Sequence, residues 1–88
     1  MPVTAVPSAT SSTQLVAPSS SRRSVIICND DANRLYVLLD GGTASATNYS
    51  FSLAQHENAR LQGDEAQGEI KGIWAGDGSG NALITTKF

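Results

Sequence analysis

The stretch AGDGSGN, residues 75–81, has the glycine content of a loop that holds phosphates. A dinucleotide-binding loop has the pattern G-x-G-x-x-G and opens a helix, because the phosphates bind at the helix N-terminus. In this chain Asn81 stands where the last glycine is required, and the strand-like run ALITTKF begins in its place. The stretch is therefore not predicted to bind a dinucleotide.

The same stretch would suit calcium if an acidic loop began at Asp77. Such a loop needs glycine at its sixth position and glutamate at its twelfth. These positions are Ala82 and Phe88, so the calcium motif is incomplete. A turn explains the composition better, since glycine adopts positive φ readily and Asp77 and Asn81 can bond locally to the backbone. We predict a hairpin turn with three permissive glycines: Gly76, Gly78 and Gly80.

Few other residues are suited to binding a metal or catalysing a reaction. Cys28 is the single cysteine and His56 the single histidine, so the chain has neither a zinc ligand set nor an internal disulfide. His56 has no recognisable nucleophile beside it and is expected in a surface loop. The adjacent acids Asp30–Asp31 and Asp64–Glu65 favour tight turns over metal sites. We predict no enzyme activity and no cofactor, with Cys28 as a buried apolar residue.

Composition limits the partners of the chain. The 88 residues carry a formal charge of -2 and a pI of about 5.0, whereas general nucleic-acid binding needs a basic face. No run approaches the roughly 20 apolar residues of a membrane span, and the N-terminus lacks the features of a signal peptide. We expect a protein made in the cytoplasm, without nucleic-acid or membrane partners.

The composition of the chain changes near residue 21. Residues 1–21 have no charge, no aromatic residue and no glycine, but contain all three prolines of the chain. Proline favours extended backbone, so we predict an N-terminal arm over 1–21, ordered on another subunit, and a β-domain over 22–88. Residues 14–17 are a candidate first strand. The apolar residues expected to contact the neighbouring subunit are Val3, Val6, Leu15 and Val16.

Arg22 and Arg23 form the one adjacent basic pair and stand between the arm and the domain. They are predicted to hold carboxylates or backbone carbonyls of a neighbouring chain. A solvated pair that protects a strand edge from aggregation is an equally good interpretation. Trp74 is predicted to be a core residue because isoleucine and glycine surround it, and stacking on a sugar ring is the alternative.

Short apolar runs separated by turn residues follow Arg22. The runs at 24–29 and 34–39 are apolar on both faces, which predicts central strands, and 48–53 alternates as a half-buried strand does. Residues 57–62 suit an edge strand or a single helical turn, and 69–75 and 81–88 complete the set. The spacing leaves no room for crossover helices. We predict an all-β fold, a small antiparallel sandwich or barrel-like domain of six or seven strands.

These segments also resemble a set of small structural proteins of tailed bacteriophages. The resemblance covers residues 12–86 and includes a TQLL-type strand, an arginine-started strand that ends in Asn-Asp, an LYV-type strand and a GIW-A segment. The matching positions are Thr13–Val16, Arg22–Arg23, Asn29–Asp30, Leu35–Val37, Ser45–Leu53, Gly68 and Gly72–Ala75. Residues 55–68 depart from the family pattern, because they lack its Pro-Gly pair and its aromatic residue.

The resemblance implies a virion structural protein without catalytic residues. The leading expectation is a capsid decoration or cement protein, bound to the outside of the capsid through the major capsid protein and copies of itself, with a homotrimer favoured. The alternatives are a carbohydrate- or receptor-binding module of a tail or fibre, which requires Trp74 or Tyr49 to be exposed, and a head–tail connector component.

Overall fold

The computed structural model of the chain describes residues 3–39, 42–76 and 78–88. Within these ranges the chain forms eight strands and one short 3₁₀ helix, Gly63–Ala66. In chain order the strands are β1 Val3–Pro7, β2 Thr13–Val16, β3 Ser24–Asp30, β4 Leu35–Leu39, β5 Phe51–Leu53, β6 Asn58–Gln62, β7 Ile70–Trp74 and β8 Asn81–Lys87.

The strands form two four-stranded antiparallel sheets. The first sheet has the order β1-β8-β3-β6 and the second the order β2-β7-β4-β5. The predicted all-β class is confirmed, and the arrangement is consistent with a small β-sandwich. The strand β1 is not evident from the sequence, because its two valines are three positions apart and do not follow the period-two alternation of a strand.

The core lies between the sheets and follows from the period-two alternation of the strands. Val25 and Ile27 of β3 are fully buried, as are Leu35 and Val37 of β4. Both strands are central, as predicted, since β3 lies between β8 and β6 and β4 lies between β7 and β5. Trp74, at the end of β7, is only 2% exposed, so its prediction as a core residue is confirmed.

Cys28 lies on the outward face of β3, whereas it was predicted to be buried. The inward positions of β3 are Val25, Ile27 and Asn29, so Ile26 and Cys28 point away from the core and are half-buried. Cys28 is a free thiol. The prediction of a buried Cys28 is wrong because only one face of a two-layer sandwich is covered.

Most connections carry the chain from one sheet to the other. The link between β7 and β8 does so, since β7 belongs to the second sheet and β8 to the first. The predicted hairpin at 75–81 is therefore wrong in its pairing, and its Asp77 lies outside the described residues. A Cβ atom at Gly78 would overlap the Asp31 carboxylate, and one at Gly80 would overlap the Asp30 carbonyl oxygen. These two glycines allow the close approach of two loops rather than a hairpin.

The remaining differences concern strand lengths and short turns. The predicted strand 48–53 is reduced to β5, three residues long, and Tyr49 lies outside it. The ambiguous segment 57–62 forms the edge strand β6. Asp64 and Glu65, predicted in a turn, lie in the 3₁₀ helix that leads from β6 towards β7.

Candidate interaction surface

The strand β1 forms one edge of the first sheet, where it pairs with β8 alone. Its register places Val6 opposite Ala82 and Thr4 opposite Ile84. Val6 is half-buried and packs against the core, whereas the other four residues of the strand are exposed. Val3 is 62% exposed, the largest value among the large apolar side chains of the described residues.

The outer edge of β1 carries backbone groups that pair with no other strand in the described part of the chain. The Ser8 N–H donates to the Gly80 carbonyl at 3.1 Å, just beyond the end of the strand. Because hydrogen-bonding directions alternate along an antiparallel strand, Val6 and Thr4 also direct their N–H groups at β8. The N–H groups of Ala5 and Val3 then point outwards, and Pro7 has none. With no charged side chain along it, this edge can accept another strand.

Behind β1 the chain is held firmly by its own sandwich. The Trp74 N–H donates to the Ala9 carbonyl at 3.0 Å, and the Ala44 N–H donates to the Ser12 hydroxyl at 3.0 Å. The strand β2 then pairs with β7, with an irregular register between Gln14 and Val16. These attachments begin at Ala9, so β1, which precedes them, is held by its pairing with β8.

The irregular register of β2 buries two consecutive apolar residues. Leu15 is 6% exposed and Val16 is 8% exposed, although neighbouring side chains of a regular strand point to opposite faces. A β-bulge adds one residue to a strand and redirects its side chains. Leu15 and Val16 were predicted to contact another subunit, and the structure places them instead in the core of their own chain.

Arg22 joins the N-terminal segment to the rest of the domain. Its side chain is buried, at 3% exposure, and none of the described carboxylates accepts its hydrogen bonds. Its Nε donates to the Ala66 carbonyl at 2.5 Å, and its two terminal nitrogens donate to the carbonyls of Ala17 and Gly68 at 2.8 and 3.1 Å. Burial lowers the pKa of Arg22. The predicted carbonyl-binding role is thus realised within the chain, and not on a neighbouring one.

Arg23, the other member of the pair, is exposed and lies beside two further cations, Arg60 and Lys87. This cluster is not evident from the sequence, because its members are 37 and 27 positions apart and only the sheet register brings them together. No local motif marks it.

A buried asparagine connects the loops at one end of the sandwich. Asn29 has no solvent exposure, and its Oδ1 accepts hydrogen bonds from the Trp74 indole N–H at 3.1 Å and the Asp31 backbone N–H at 3.3 Å. Its Nδ2 donates to the carbonyls of Asn33 and Leu53 at 2.9 and 3.0 Å. All four hydrogen-bonding positions of the amide are therefore used in holding the fold.

Asp31 extends this network to the glycine-rich link. Its Oδ1 accepts from the Gly80 N–H at 3.0 Å, and its Oδ2 accepts from the backbone and side-chain nitrogens of Asn33 at 3.1 and 3.2 Å. Burial acts to raise the pKa of Asp31, but hydrogen bonds from Asn33, Gly80 and Ala32 outweigh it, and the pKa is lowered. The carboxylate therefore holds two loops together, as expected of turn-forming acids.

The remaining candidate groups lie at the surface. The His56 Nδ1 is 3.5 Å from the Asp30 Oδ1, with side chains 72% and 49% exposed. His56 lies in the turn between β5 and β6 and has a positive φ of 68°, so its prediction as a surface loop residue is confirmed. Among the described residues, no group of three or more His, Cys, Asp or Glu is placed to hold a metal ion. No helix of these residues has the length and apolar character to cross a membrane.

An aromatic pair lies on the outer face of the second sheet. Tyr49 is 43% exposed, and its ring centroid is 4.8 Å from that of Tyr36 at an interplanar angle of 47°. Of the two aromatic residues considered for sugar stacking, Tyr49 is accessible and Trp74 is not.

The geometry of the described residues is that of a rigid sandwich with an open strand edge and satisfied polar interior: no buried side-chain nitrogen or oxygen among them lacks a hydrogen-bond partner. Comparison of the chain with models of protein families, with curated proteins and with solved structures found no match.

Proposed function

We propose that this chain is a non-enzymatic structural protein of a phage virion, a decoration or cement protein that binds the outside of the capsid. The observation that carries the proposal is the open edge of β1, an uncharged and exposed strand on a compact sandwich. The resemblance of residues 12–86 to small virion proteins of tailed phages supplies the class of partner, the major capsid protein.

The proposed contact is strand addition. An extended segment of a capsid subunit pairs with the N–H and carbonyl groups on the free edge of β1, and main-chain hydrogen bonds supply the affinity. Val3 and Ala5 are exposed and lie next to such a strand, so they add apolar contact.

Cementing follows from where the protein binds. A protein that contacts two capsid subunits only in their assembled arrangement stabilises that arrangement by mass action. Many identical weak contacts then sum over the shell. The preferred form is a homotrimer at three-fold positions, in which closed symmetry covers one of the other sheet edges, β6, β2 or β5, and leaves β1 for the capsid subunit.

The body of the sandwich suits a rigid spacer. Its Cα extents are 33 × 24 × 16 Å, and Asn29 and Arg22 fix its loops through buried hydrogen bonds. A rigid body loses little conformational entropy on binding, so more of the contact energy appears as affinity.

The test is binding of the purified chain to empty capsids of the phage that encodes it. We expect the chain to co-sediment with these capsids and to raise the temperature at which they disrupt. Absence of co-sedimentation would refute the decoration function.

A pair of variants at one position tests the contact itself. Ala5→Pro removes an outward N–H without removing a bond to β8, so the domain is expected to stay folded and capsid binding to be lost. Ala5→Val keeps the N–H and favours the strand, so it should bind as the parent chain does. Amide exchange of β8 verifies that β1 is still docked in both variants. Equal capsid binding by the two variants would exclude the β1 edge as the contact.

The exposed Tyr49, packed on Tyr36, favours a second candidate function, a carbohydrate-binding module of a tail or fibre. Aromatic rings bind sugars through the apolar faces of both. A glycan array with the parent chain and Tyr49→Ala tests it, since this function predicts binding that the substitution removes. Binding to no glycan, or binding that survives the substitution, counts against it.

A further inference from the structure

An open groove of about 160 Å³ lies at one end of the first sheet, where β3, β6 and β8 meet. Five residues line it: Arg23, Ser24, Arg60, Gln62 and Lys87. Three of the five are cations, and the other two are neutral hydrogen-bonding residues. No acidic or aromatic side chain is among them.

The sheet register assembles the groove from distant parts of the chain. Ser24, at the start of β3, lies opposite Gln62 on β6 and opposite Lys87 on β8. Arg60 is two residues before Gln62, so both side chains point to the same face of the sheet. The Arg23 N–H donates to the Lys87 carbonyl at 2.7 Å, which holds Arg23 against the end of β8. Ser24 is 6% exposed and forms the floor.

The charge of the groove is opposite to that of the whole chain. It contains three of the six Lys and Arg residues of a protein with a formal charge of -2. Within the described ranges, the ion pair formed at 4.0 Å or less is that of His56 with Asp30, so Arg23, Arg60 and Lys87 do not pair with a described acid. Cations placed close together without counter-ions produce a local positive potential that attracts anionic groups.

We propose that this groove binds the carboxylate side chains of an acidic segment of a partner protein. Two of its cations are arginines, whose planar guanidinium groups match a carboxylate with two parallel hydrogen bonds. The Ser24 hydroxyl and the Gln62 amide add neutral donors to the same site. This inference goes beyond the proposed function, because it concerns a different surface from the β1 edge and requires no capsid.

A nucleic acid fits the groove less well than an acidic protein segment does. Binding to a nucleic-acid strand relies on a long stripe of cations and on aromatic side chains that stack on bases. The groove is short and its lining is free of aromatic residues. A short acidic segment can end within the groove, whereas a nucleic-acid strand continues past it, and Asp64 and Glu65 of the adjoining 3₁₀ helix would repel its further phosphates.

Titration of the ¹⁵N-labelled full chain with an acetylated, amidated Glu-Glu-Glu peptide tests the inference by NMR. We expect saturable shifts at the amides of the five groove residues and at the side-chain N–H groups of Arg23 and Arg60, with an affinity that falls as salt rises. The matched Gln-Gln-Gln peptide should leave these signals unchanged. Absence of shifts with the acidic peptide, or equal shifts with both peptides, would overturn the proposal.

Two double variants identify the cations responsible. Arg60→Gln with Lys87→Gln removes two charges from the groove and should lower the affinity for the acidic peptide roughly tenfold. Arg34→Gln with Lys71→Gln removes one charge just before β4 and one from β7, both outside the groove, and should leave the affinity unchanged. If both double variants bound the acidic peptide equally weakly, the effect would come from net charge alone, and the assignment of the groove as the binding site would be wrong. If hexathymidylate shifted the signals of the same amides and bound more tightly than the peptide, the ligand of the groove would be a nucleic acid and the proposal would be wrong.

Discussion

The strands β1 and β2 come from the same uncharged segment of 21 residues, and both lie at an edge of a sheet, yet their surroundings differ. In β2 the side chains of Leu15 and Val16 are buried in the core. In β1 only Val6 packs against the core, and Val3 remains 62% exposed. Similar composition has therefore produced one strand that completes the interior and another that offers its edge to the surroundings.

The cause of the difference is geometric. A bulge in β2 turns two adjacent apolar side chains inwards, and Arg22 then bonds the Ala17 carbonyl that follows the strand. The strand β1 has neither feature. An apolar residue in an edge strand is thus part of the core only where the backbone directs it over the opposite sheet.

Leu15→Ala in β2 should destabilise the fold more than any other substitution considered below. The substitution removes a buried side chain from a packed core and should lower the free energy of unfolding by about 2–4 kcal/mol. Val3→Ala in β1 is the control and should change it by less than about 0.5 kcal/mol, because Val3 is exposed. Urea denaturation measures both. Similar losses in the two variants would mean that β1 and β2 contribute alike to the core.

The adjacent arginines that follow β2 should differ in their contribution to the free energy of unfolding. Arg22→Met keeps an apolar stem but leaves three backbone carbonyls without their donor, so a loss of about 2–3 kcal/mol is expected. Arg23→Met alters an exposed side chain and should change the free energy of unfolding by about 0.5 kcal/mol or less. If thermal denaturation gives the two variants the same midpoint, Arg22 does not hold the N-terminal segment in place.

Asp31→Asn tests the loops at the start of β8, the strand with which β1 pairs. The amide cannot accept from all the N–H groups that the carboxylate binds, and a loss of about 1–2 kcal/mol is expected at neutral pH.

The pH dependence of the same variant follows from the lowered pKa. Because the folded-state pKa of Asp31 lies below its ordinary value of 3.8, its ionised form contributes stability above pH 3.8. That contribution is lost as the pH falls through the lowered pKa. In Asp31→Asn this part of the acid dependence should disappear, and urea titrations between neutral and acidic pH measure it. Asp30→Asn, an exposed control, should retain the acid dependence.

The smallest effect concerns local opening of β1. Its Thr4 and Val6 amides should exchange with deuterium through a local opening of lower free energy than that of the β7 amides, since only one half-buried side chain holds the strand. Native-state hydrogen exchange compares the two strands. Equal opening free energies would show that β1 unfolds only with the whole domain.

Much of the fold could be predicted from the sequence, because apolar runs of five to seven residues between turn residues have the length of strands and are too short for typical helices. Trp74 in the core and the central positions of β3 and β4 follow directly from their apolar neighbours. The burial of Leu15, Val16 and Arg22 could not be predicted from the sequence. It depends on a bulge in β2 and on three backbone carbonyls that accept hydrogen bonds from Arg22. The chain's partners stay a prediction.

The class of the fold followed from the sequence alone, since Gly, Asn, Asp and Ser divide residues 22–88 into apolar runs too short for typical helices. Tertiary structure decided which surfaces are open. The positive groove needs the register of three strands, and the exposed edge of β1 needs the order of the first sheet. Both depend on contacts between residues far apart in the chain, and local residue patterns do not encode such contacts.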